Sequence, residues 1–298
     1  MVSAAVTHPA LVAEVAARLA AAGVASPEVD ARWLVEHVDD VAGEPTGCAA
    51  ALLDALVERR AAREPLQLVL GHTAFRLLEL RCRGGVFIPR PETEVVAGLA
   101  IEAARASSAP VVIEPCTGAG PILCSLVAEV PSVRVVATDI EPTAVALAGE
   151  NLERLVAGRA GVAGPAPGAV GEVHHGRGFT GVDPHLHGVV DVVVSNPPYL
   201  PASDAVTWAP EVAAYDPRQA LIGGDRGHEV VVDLLSEASR WLRPGGAVVF
   251  EIDGRSRPAV IAAAATAGFV DVQVHRDLTG AVRAVRARLP AGGMATPS

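Results

Sequence analysis

The chain has 298 residues, half of them apolar, with 34 acidic side chains against 24 basic ones and a net charge of −10. By length that is about two ordinary domains, each able to bury a real core, which excludes disorder as the main state. Every basic residue is arginine. Schiff-base lysines, Walker-type phosphate lysines and lysine general bases are therefore excluded as well.

Residues 1–72 carry 5 Arg against 10 acids and the remainder is also acidic, so no basic stretch offers a bare surface for a polyanion. The four cysteines (Cys48, Cys82, Cys116, Cys124) form no C-x-x-C pair, which argues against a disulfide framework or a zinc knuckle and fits a reducing compartment. The start of the chain lacks a basic-then-apolar signal pattern, and no uncharged apolar run reaches the ~18 residues of a membrane span. The expectation is a cytoplasmic protein with no membrane, no direct nucleic-acid partner and no metal.

Taken in chain order, the first 65 residues read as about three helices. Leu11, Val15 and Leu19, then Trp33, Leu34 and Val38, then Leu52, Leu53, Leu56 and Val57 recur near a 3.6-residue period. Breaks fall at Gly23 to Pro27 and Gly43 to Gly47, with Ser26 a suitable N-cap before Pro27 at the first helical position. After Glu64-Pro65, alternation through Phe75, Leu77 and Leu80 predicts a β-hairpin linker.

From Val111 onward strand-like runs alternate with helical ones. Candidate strands are Val111–Glu114, Val133–Asp139, Val189–Ser195 and Ala247–Glu251, with weaker ones at Val170–His174, Val270–Val274 and Val282–Ala287. This pattern predicts a parallel α/β sheet whose ligand crevice lies beyond the carboxyl ends of the strands. Residues 156–171 read as a flexible insertion.

Chemistry is therefore sought just after each strand. The first leads into Glu114-Pro115-Cys116-Thr117-Gly118-Ala119-Gly120-Pro121, where glycines let a cofactor approach the backbone and a helix N-terminus. The next ends in Asp139, placed to accept both hydroxyls of a ribose. Together they indicate a nucleoside-containing cofactor without separating nicotinamide from S-adenosylmethionine. Asn196-Pro197-Pro198-Tyr199, directly after Val189–Ser195, makes that distinction. Two prolines stiffen the backbone and leave carbonyl acceptors beside the Asn side-chain oxygen, a site for an NH2 group. An amide nitrogen has a delocalised lone pair, so holding its N–H bonds while aiming it at an electrophilic methyl is the useful chemistry.

Over residues 60–288 the chain resembles the HemK/PrmC family of S-adenosylmethionine-dependent protein glutamine N5-methyltransferases. The residues that carry the resemblance are Arg63-Glu64-Pro65-Leu66-Gln67 with Gly71, Ile88-Pro89-Arg90-Pro91-Glu92-Thr93-Glu94, Thr117-Gly118, Asp139 and Asn196-Pro197-Pro198-Tyr199. To these are added Glu211-Val212, Ala220-Leu221 with Gly223-Gly224-Asp225, Pro244-Gly245-Gly246, and Asp277-Leu278 with Gly280 and Arg283.

The resemblance implies an α/β fold: a Rossmann-like seven-stranded class I methyltransferase sheet with an antiparallel last strand and a small N-terminal helical domain. The implied domains are a helical substrate-recognition domain at 1–72, a β-hairpin linker at 73–90 and an S-adenosyl-L-methionine-dependent methyltransferase domain at 91–298. The implied reaction methylates the glutamine of the Gly-Gly-Gln motif of peptide-chain release factors. By match, Asn196, Pro197 and Tyr199 are the catalytic residues. Glu114, Thr117, Gly118, Gly120, Asp139, Ile140 and Asn196 would bind the cofactor, and Arg90, Glu92, Pro197, Pro198 and Tyr199 the substrate.

Three positions depart from the family pattern. Cys116 stands where a glycine is usual, so its Cβ would crowd the cofactor or shift the loop. Gly176-Arg177-Gly178-Phe179 replaces a Gly-Asp expected to touch adenine, and Glu251-Ile252-Asp253 replaces Glu-Ile-Gly. They motivate an alternative in which a small metabolite or another protein is the acceptor. His174, His175, His185 and His187 read as solvated loop histidines, and Trp208, Tyr215 and Asp216 fall where a lid over substrate is expected.

Overall fold

The computed structural model describes residues 9–42, 47–161 and 163–292. The chain forms two compact units, one of residues up to His72 together with Ala209–Tyr215, the other of Thr73–Trp208 and everything from Asp216 onward.

The first unit is helical: α1 (Pro9–Ala21), α2 (Pro27–Ala42), α3 (Gly47–Ala61) and the short α4 (Leu66–Leu70). Its core is built from Val15, Leu19, Leu34, Val38, Leu53, Leu56 and Val57, as the 3.6-residue spacing predicts. Trp33 is the exception and is 48% exposed. On α2 the inward stripe runs through Ala31, Leu34, Val35 and Val38, which leaves position 33 on the far side. The break expected at Gly43 to Gly47 lies largely outside the described residues.

The chain returns to this unit for the helix Pro210–Tyr215, which no sequence pattern marked. Arg63 holds Glu211 through two hydrogen bonds of 2.7 and 2.8 Å, and the buried Arg60 reaches the same carboxylate at 3.2 Å while also pairing with Asp30 at 2.7 Å. The hydrogen bonds from Arg63 bring the Glu211 carboxyl down to about 2.

From Thr73 the chain belongs to the second unit: the hairpin β1 (His72–Phe75) and β2 (Leu78–Arg81) is followed by α5 (Thr93–Ala104). Then come β3 (Val111–Pro115), α6 (Pro121–Glu129), β4 (Arg134–Asp139), α7 (Pro142–Val156), β5 (Val170–His175) and β6 (Val190–Ser195). A minor pair, β7 (Leu200–Pro201) and β8 (Ile222–Gly224), brackets α8 (the Pro210–Tyr215 helix) and α9 (Arg218–Leu221). The chain ends with α10 (Glu229–Trp241), β9 (Leu242–Glu251), α11 (Arg257–Thr266), β10 (Val270–Arg276) and β11 (Val282–Arg288).

Seven strands form one sheet in the order β10-β11-β9-β6-β3-β4-β5. β3 pairs in parallel with β4 and β6, β4 with β5, and β6 with β9, whereas β11 runs antiparallel to β9 and β10. The central strands are Val-rich and buried on both faces, as parallel strands covered by helices must be. β9 starts five residues before the expected Ala247, because Leu242 pairs with Val190 before the register shifts at the Pro-Gly-Gly segment. The connection after α7 does not hang free. Backbone hydrogen bonds tie Ala166 to Val127, Pro167 to Ser132 and Ala160 to Glu79.

Candidate active site

Strand periodicity brings the polar residues of the site together. Val112, Ala137, Val194 and Val249 belong to one core cluster on one face of the sheet. Two residues further along each strand stand Glu114, Asp139, Asn196 and Glu251, so the period of two puts all four on that face at the carboxyl ends of β3, β4, β6 and β9. Those strands are neighbours in the order β9-β6-β3-β4, which makes a row of polar groups along the rim.

A cavity of about 310 Å³ opens there, lined among others by Glu114, Thr117, Gly118, Asp139, Ile140 and Asn196. Pro198 lines it too, as do Cys116, Thr93 and Arg177, whereas Gly120, Pro197, Tyr199, Arg90 and Glu92 do not. Gly120 has φ +80°, and a Cβ there would sit 3.2 Å from Ala148, so this glycine lets α6 pack against α7. Arg90 pairs with the buried Asp216 and lies over the Phe87 ring at 5.2 Å, and Glu92 sits 3.8 Å from Arg283.

The loop after β3 turns at its cysteine. Cys116 takes φ +60°, the left-handed conformation that a glycine adopts without strain, and Thr117 N–H still bonds Thr138 O at 3.0 Å. Burial pushes the Cys116 thiol up to about 12, so it is neutral. Asp139 is oriented by two backbone donors, Gly118 N–H at 2.8 Å and Glu141 N–H at 3.0 Å, one on each oxygen. Each oxygen keeps a further lone pair. The buried Asn151 on α7 accepts from Arg81 N–H at 2.8 Å and donates to Ala119 O at 2.9 Å, tying the hairpin to the glycine loop.

Asn196 donates from Nδ2 to Thr93 Oγ1 at 3.0 Å. Thr93 is the first residue of α5 and continues that helix's inward stripe of Val96, Ala97, Ala100 and Ile101. Tyr199 donates its hydroxyl to Glu251 Oε1 at 2.9 Å, and burial holds the phenol well above its ordinary value. Glu251 is 1% exposed, and burial pushes its carboxyl up to about 7. Sequence reasoning assigned no role to Thr93 or Glu251. The available signal was phase: Glu251 follows Val249 by two residues, as Asn196 follows Val194.

The departures at the other rim loops are accommodated. Gly176 has room for no Cβ, which would fall 1.9 Å from Thr180 O, and Phe179 is buried against Trp241. Asp253 caps the turn at Arg255. Of the histidines, His174 lies 3.2 Å from Glu172, His175 from Ile140 O at 2.9 Å, and His187 stacks on Trp241, while His185 is exposed. Trp208 lies under the Arg218 guanidinium at 5.6 Å.

The cavity's chemistry suits an adenosyl cofactor that carries positive charge. Thr117 Oγ1 and Glu114 Oε2 are buried, belong to lining residues and, beyond the favourable approach of the Thr117 hydroxyl to the Glu114 carboxyl, make no hydrogen bond of ordinary geometry among the described residues. Buried polar atoms of that kind call for a ligand or water. Burial pushes the Glu114 carboxyl well above its ordinary value, toward the neutral form, and of the remaining charged lining Asp139 and Glu141 face a single arginine, Arg177, so the lining is acidic on balance. Ile140, 50% exposed beside Asp139, offers an apolar surface for a flat base.

A mostly parallel seven-stranded sheet with a glycine loop, Asp139 and Asn196 at its carboxyl edge is the architecture of a class I methyltransferase. No family model matches the chain. It is 40% identical over 292 residues to the release factor glutamine methyltransferase of Deinococcus radiodurans, covering 95% of this chain and 98% of that one. To the protein of the same description from Streptomyces coelicolor it is 39% identical, covering 93% and 96%. The chain belongs to the release factor glutamine methyltransferase family.

Proposed function

We propose that this chain is an S-adenosyl-L-methionine-dependent enzyme that methylates the side-chain amide of the glutamine in the Gly-Gly-Gln motif of peptide-chain release factors, in the cytoplasm. The carrying observation is that Asn196 lines the same cavity as Gly118 and Asp139. On this reading residues 1–72 recognise the release factor, 73–90 link, and 91–298 carry the transfer, with Ala209–Tyr215 belonging to the recognition unit.

S-Adenosyl-L-methionine supplies a methyl carbon made electrophilic by its sulfonium. Thr117, Gly118 and Glu114 would hold its amino-acid end, Asp139 its ribose hydroxyls, and Ile140 the base. Asn196 Oδ1 and the Pro197 carbonyl would accept the two N–H bonds of the substrate amide, fixing the nitrogen in line with the methyl. An amide nitrogen is a poor nucleophile, so orientation matters more than a strong base, and the proton can leave to water after transfer. Tyr199 is no base at neutral pH, since its hydroxyl donates to Glu251.

The test is mass spectrometry of a release factor after incubation with the full chain and cofactor. One added methyl on the Gly-Gly-Gln peptide is expected, and an unmodified peptide would move the acceptor to a metabolite or another protein. Asn196→Ala is expected to lower kcat about 100-fold while cofactor affinity stays within about twofold. Near-normal turnover in that variant would place the chemistry elsewhere.

A further inference from the structure

We propose that Glu251 is a positioning residue for the transfer: acting through Thr93, it decides which end of the Asn196 carboxamide faces the cavity. The inference rests on the amide-methylation reading above.

Which way an asparagine amide points is set by its partners. Thr93 has one hydroxyl proton and sits between two groups. On one side Asn196 Nδ2 lies 3.0 Å from Thr93 Oγ1. On the other, the Thr93 hydroxyl faces the Glu251 carboxylate and favours its charged form. A carboxylate can only accept, so Thr93 donates to Glu251, and its oxygen is left to accept from Asn196. The NH2 end of Asn196 is thereby turned toward α5, and Oδ1 toward the cavity, where an acceptor is needed for a substrate N–H.

If Glu251 is neutral, the polarity of the chain can reverse. The carboxylic acid can donate to Thr93, Thr93 can donate to Asn196 Oδ1, and the Asn196 NH2 then meets the substrate NH2 donor to donor. Tyr199, on the loop after β6, fastens the other oxygen, Oε1, at 2.9 Å. Among the described residues Glu251 Oε2 is buried and makes no other hydrogen bond, and Thr93 is the hydroxyl that acts on this carboxylate besides Tyr199. The charged groups around Glu251 are Arg283 on β11, which favours its ionised form, and Glu92 at the start of α5, which opposes it. Arg283 is itself held by Asp277 at 2.7 Å. With burial as the dominant cause, the carboxyl titrates at about 7.

The experiment compares wild type with Glu251→Gln, Thr93→Val and Thr93→Ser, measuring kcat and both KM values against pH with a release-factor substrate. Glu251→Gln, whose amide can donate as well as accept, is expected to lose about 10- to 100-fold in kcat with the cofactor KM nearly unchanged. Thr93→Val is expected to match it, and Thr93→Ser to keep most of the activity because the hydroxyl remains. Wild-type kcat should fall as pH drops through about 7, and the Glu251→Gln profile should be flat there. A Glu251→Gln enzyme with wild-type kcat and wild-type pH profile would overturn the proposal.

A second readout needs no acceptor, so it still decides the matter if the release factor proves not to be the substrate. The Asn196 side-chain amide signals in 15N NMR spectra of the full chain are expected to titrate near pH 7 in wild type and not in Glu251→Gln. Signals that titrate alike in both would count against the relay.

Discussion

At the scale of single residues, Glu251 couples stability to function with opposite signs. Its folded carboxyl titrates at about 7 and an ordinary one at 4.5, so between those values the folded chain holds a proton that the unfolded chain has released. Stability must then fall as pH climbs from 4.5 to 7, and above 7 it stays lower by roughly 3 kcal/mol, the cost of keeping a buried carboxylate ionised. Glutamine has the same shape and no charge. Glu251→Gln is therefore expected to be more stable than wild type at pH 8 and about equal to it near pH 4.5. Urea denaturation at the two values checks this, and a variant less stable than wild type at pH 8 would show that the carboxylate is not paying a burial penalty. Greater stability with less turnover is what a group kept for orientation produces, and a purely structural residue would not give it. Cys116 is a smaller instance. It holds a left-handed backbone that costs about 1 kcal/mol for a residue with a Cβ, yet leaves the loop's hydrogen bonds in place. The sequence marked Cys116 by comparison with a glycine pattern, but φ is a backbone angle and no residue name reveals it.

At the scale of elements, the segment after Asn196 is shaped by glycines that admit a neighbouring backbone. A Cβ on Gly223 would lie 2.2 Å from Gly227 O and 2.4 Å from Pro198 O, and one on Gly227 would lie 2.6 Å from Tyr199 O. The strand pair β7 and β8 thus presses directly on the rigid Pro-Pro turn that sets the Asn196 backbone. Gly223→Ala is expected to push that turn out of place, costing about 1–3 kcal/mol and most of the turnover, while the far-ultraviolet circular dichroism of the large sheet stays unchanged. Activity within twofold of wild type would mean that the turn does not depend on this contact. Much of this level was legible beforehand. Short Val-rich runs between turn or helical segments read as strands whether parallel or antiparallel, so the seven strands of the sheet fall within a few residues of the expected ones, apart from the early start of β9. The return of Ala209–Tyr215 to the helical unit was not legible, because it depends on Arg60 and Arg63 meeting Glu211 about 150 residues later, and no periodicity records such a pairing. Asn151 escaped for the same reason: on a helix pattern it is one polar residue among apolar ones, and only the assembled hairpin and glycine loop show what it ties together.

At the scale of the whole molecule the question is what can approach the site, and charge decides it. An asparagine beside two prolines can accept the N–H bonds of any planar NH2 group, so such a turn alone does not choose between a protein amide and a nucleobase. The net charge of −10 repels a polyanion. The arginines do not offset this, because many are already committed to acids: Arg76 to Glu129, Arg134 to Glu172, Arg243 to Asp191, Arg255 to Asp253 and Arg283 to Asp277. To neutralise phosphates, such arginines would first have to give up partners within 2.9 Å, and binding would gain little from counterion release. No described helix is long and apolar enough to cross a membrane. Duplex DNA and single-stranded RNA, titrated against the full chain by fluorescence anisotropy, are expected to show no saturable binding at about 150 mM salt and only a shallow salt dependence below it. Tight binding that weakens steeply with salt, accompanied by methylation of adenine, would transfer the acceptor from a protein to a nucleic acid. The asparagine clamp would keep its geometry in that case, since an exocyclic adenine amine and a glutamine amide present the same planar NH2 to Asn196.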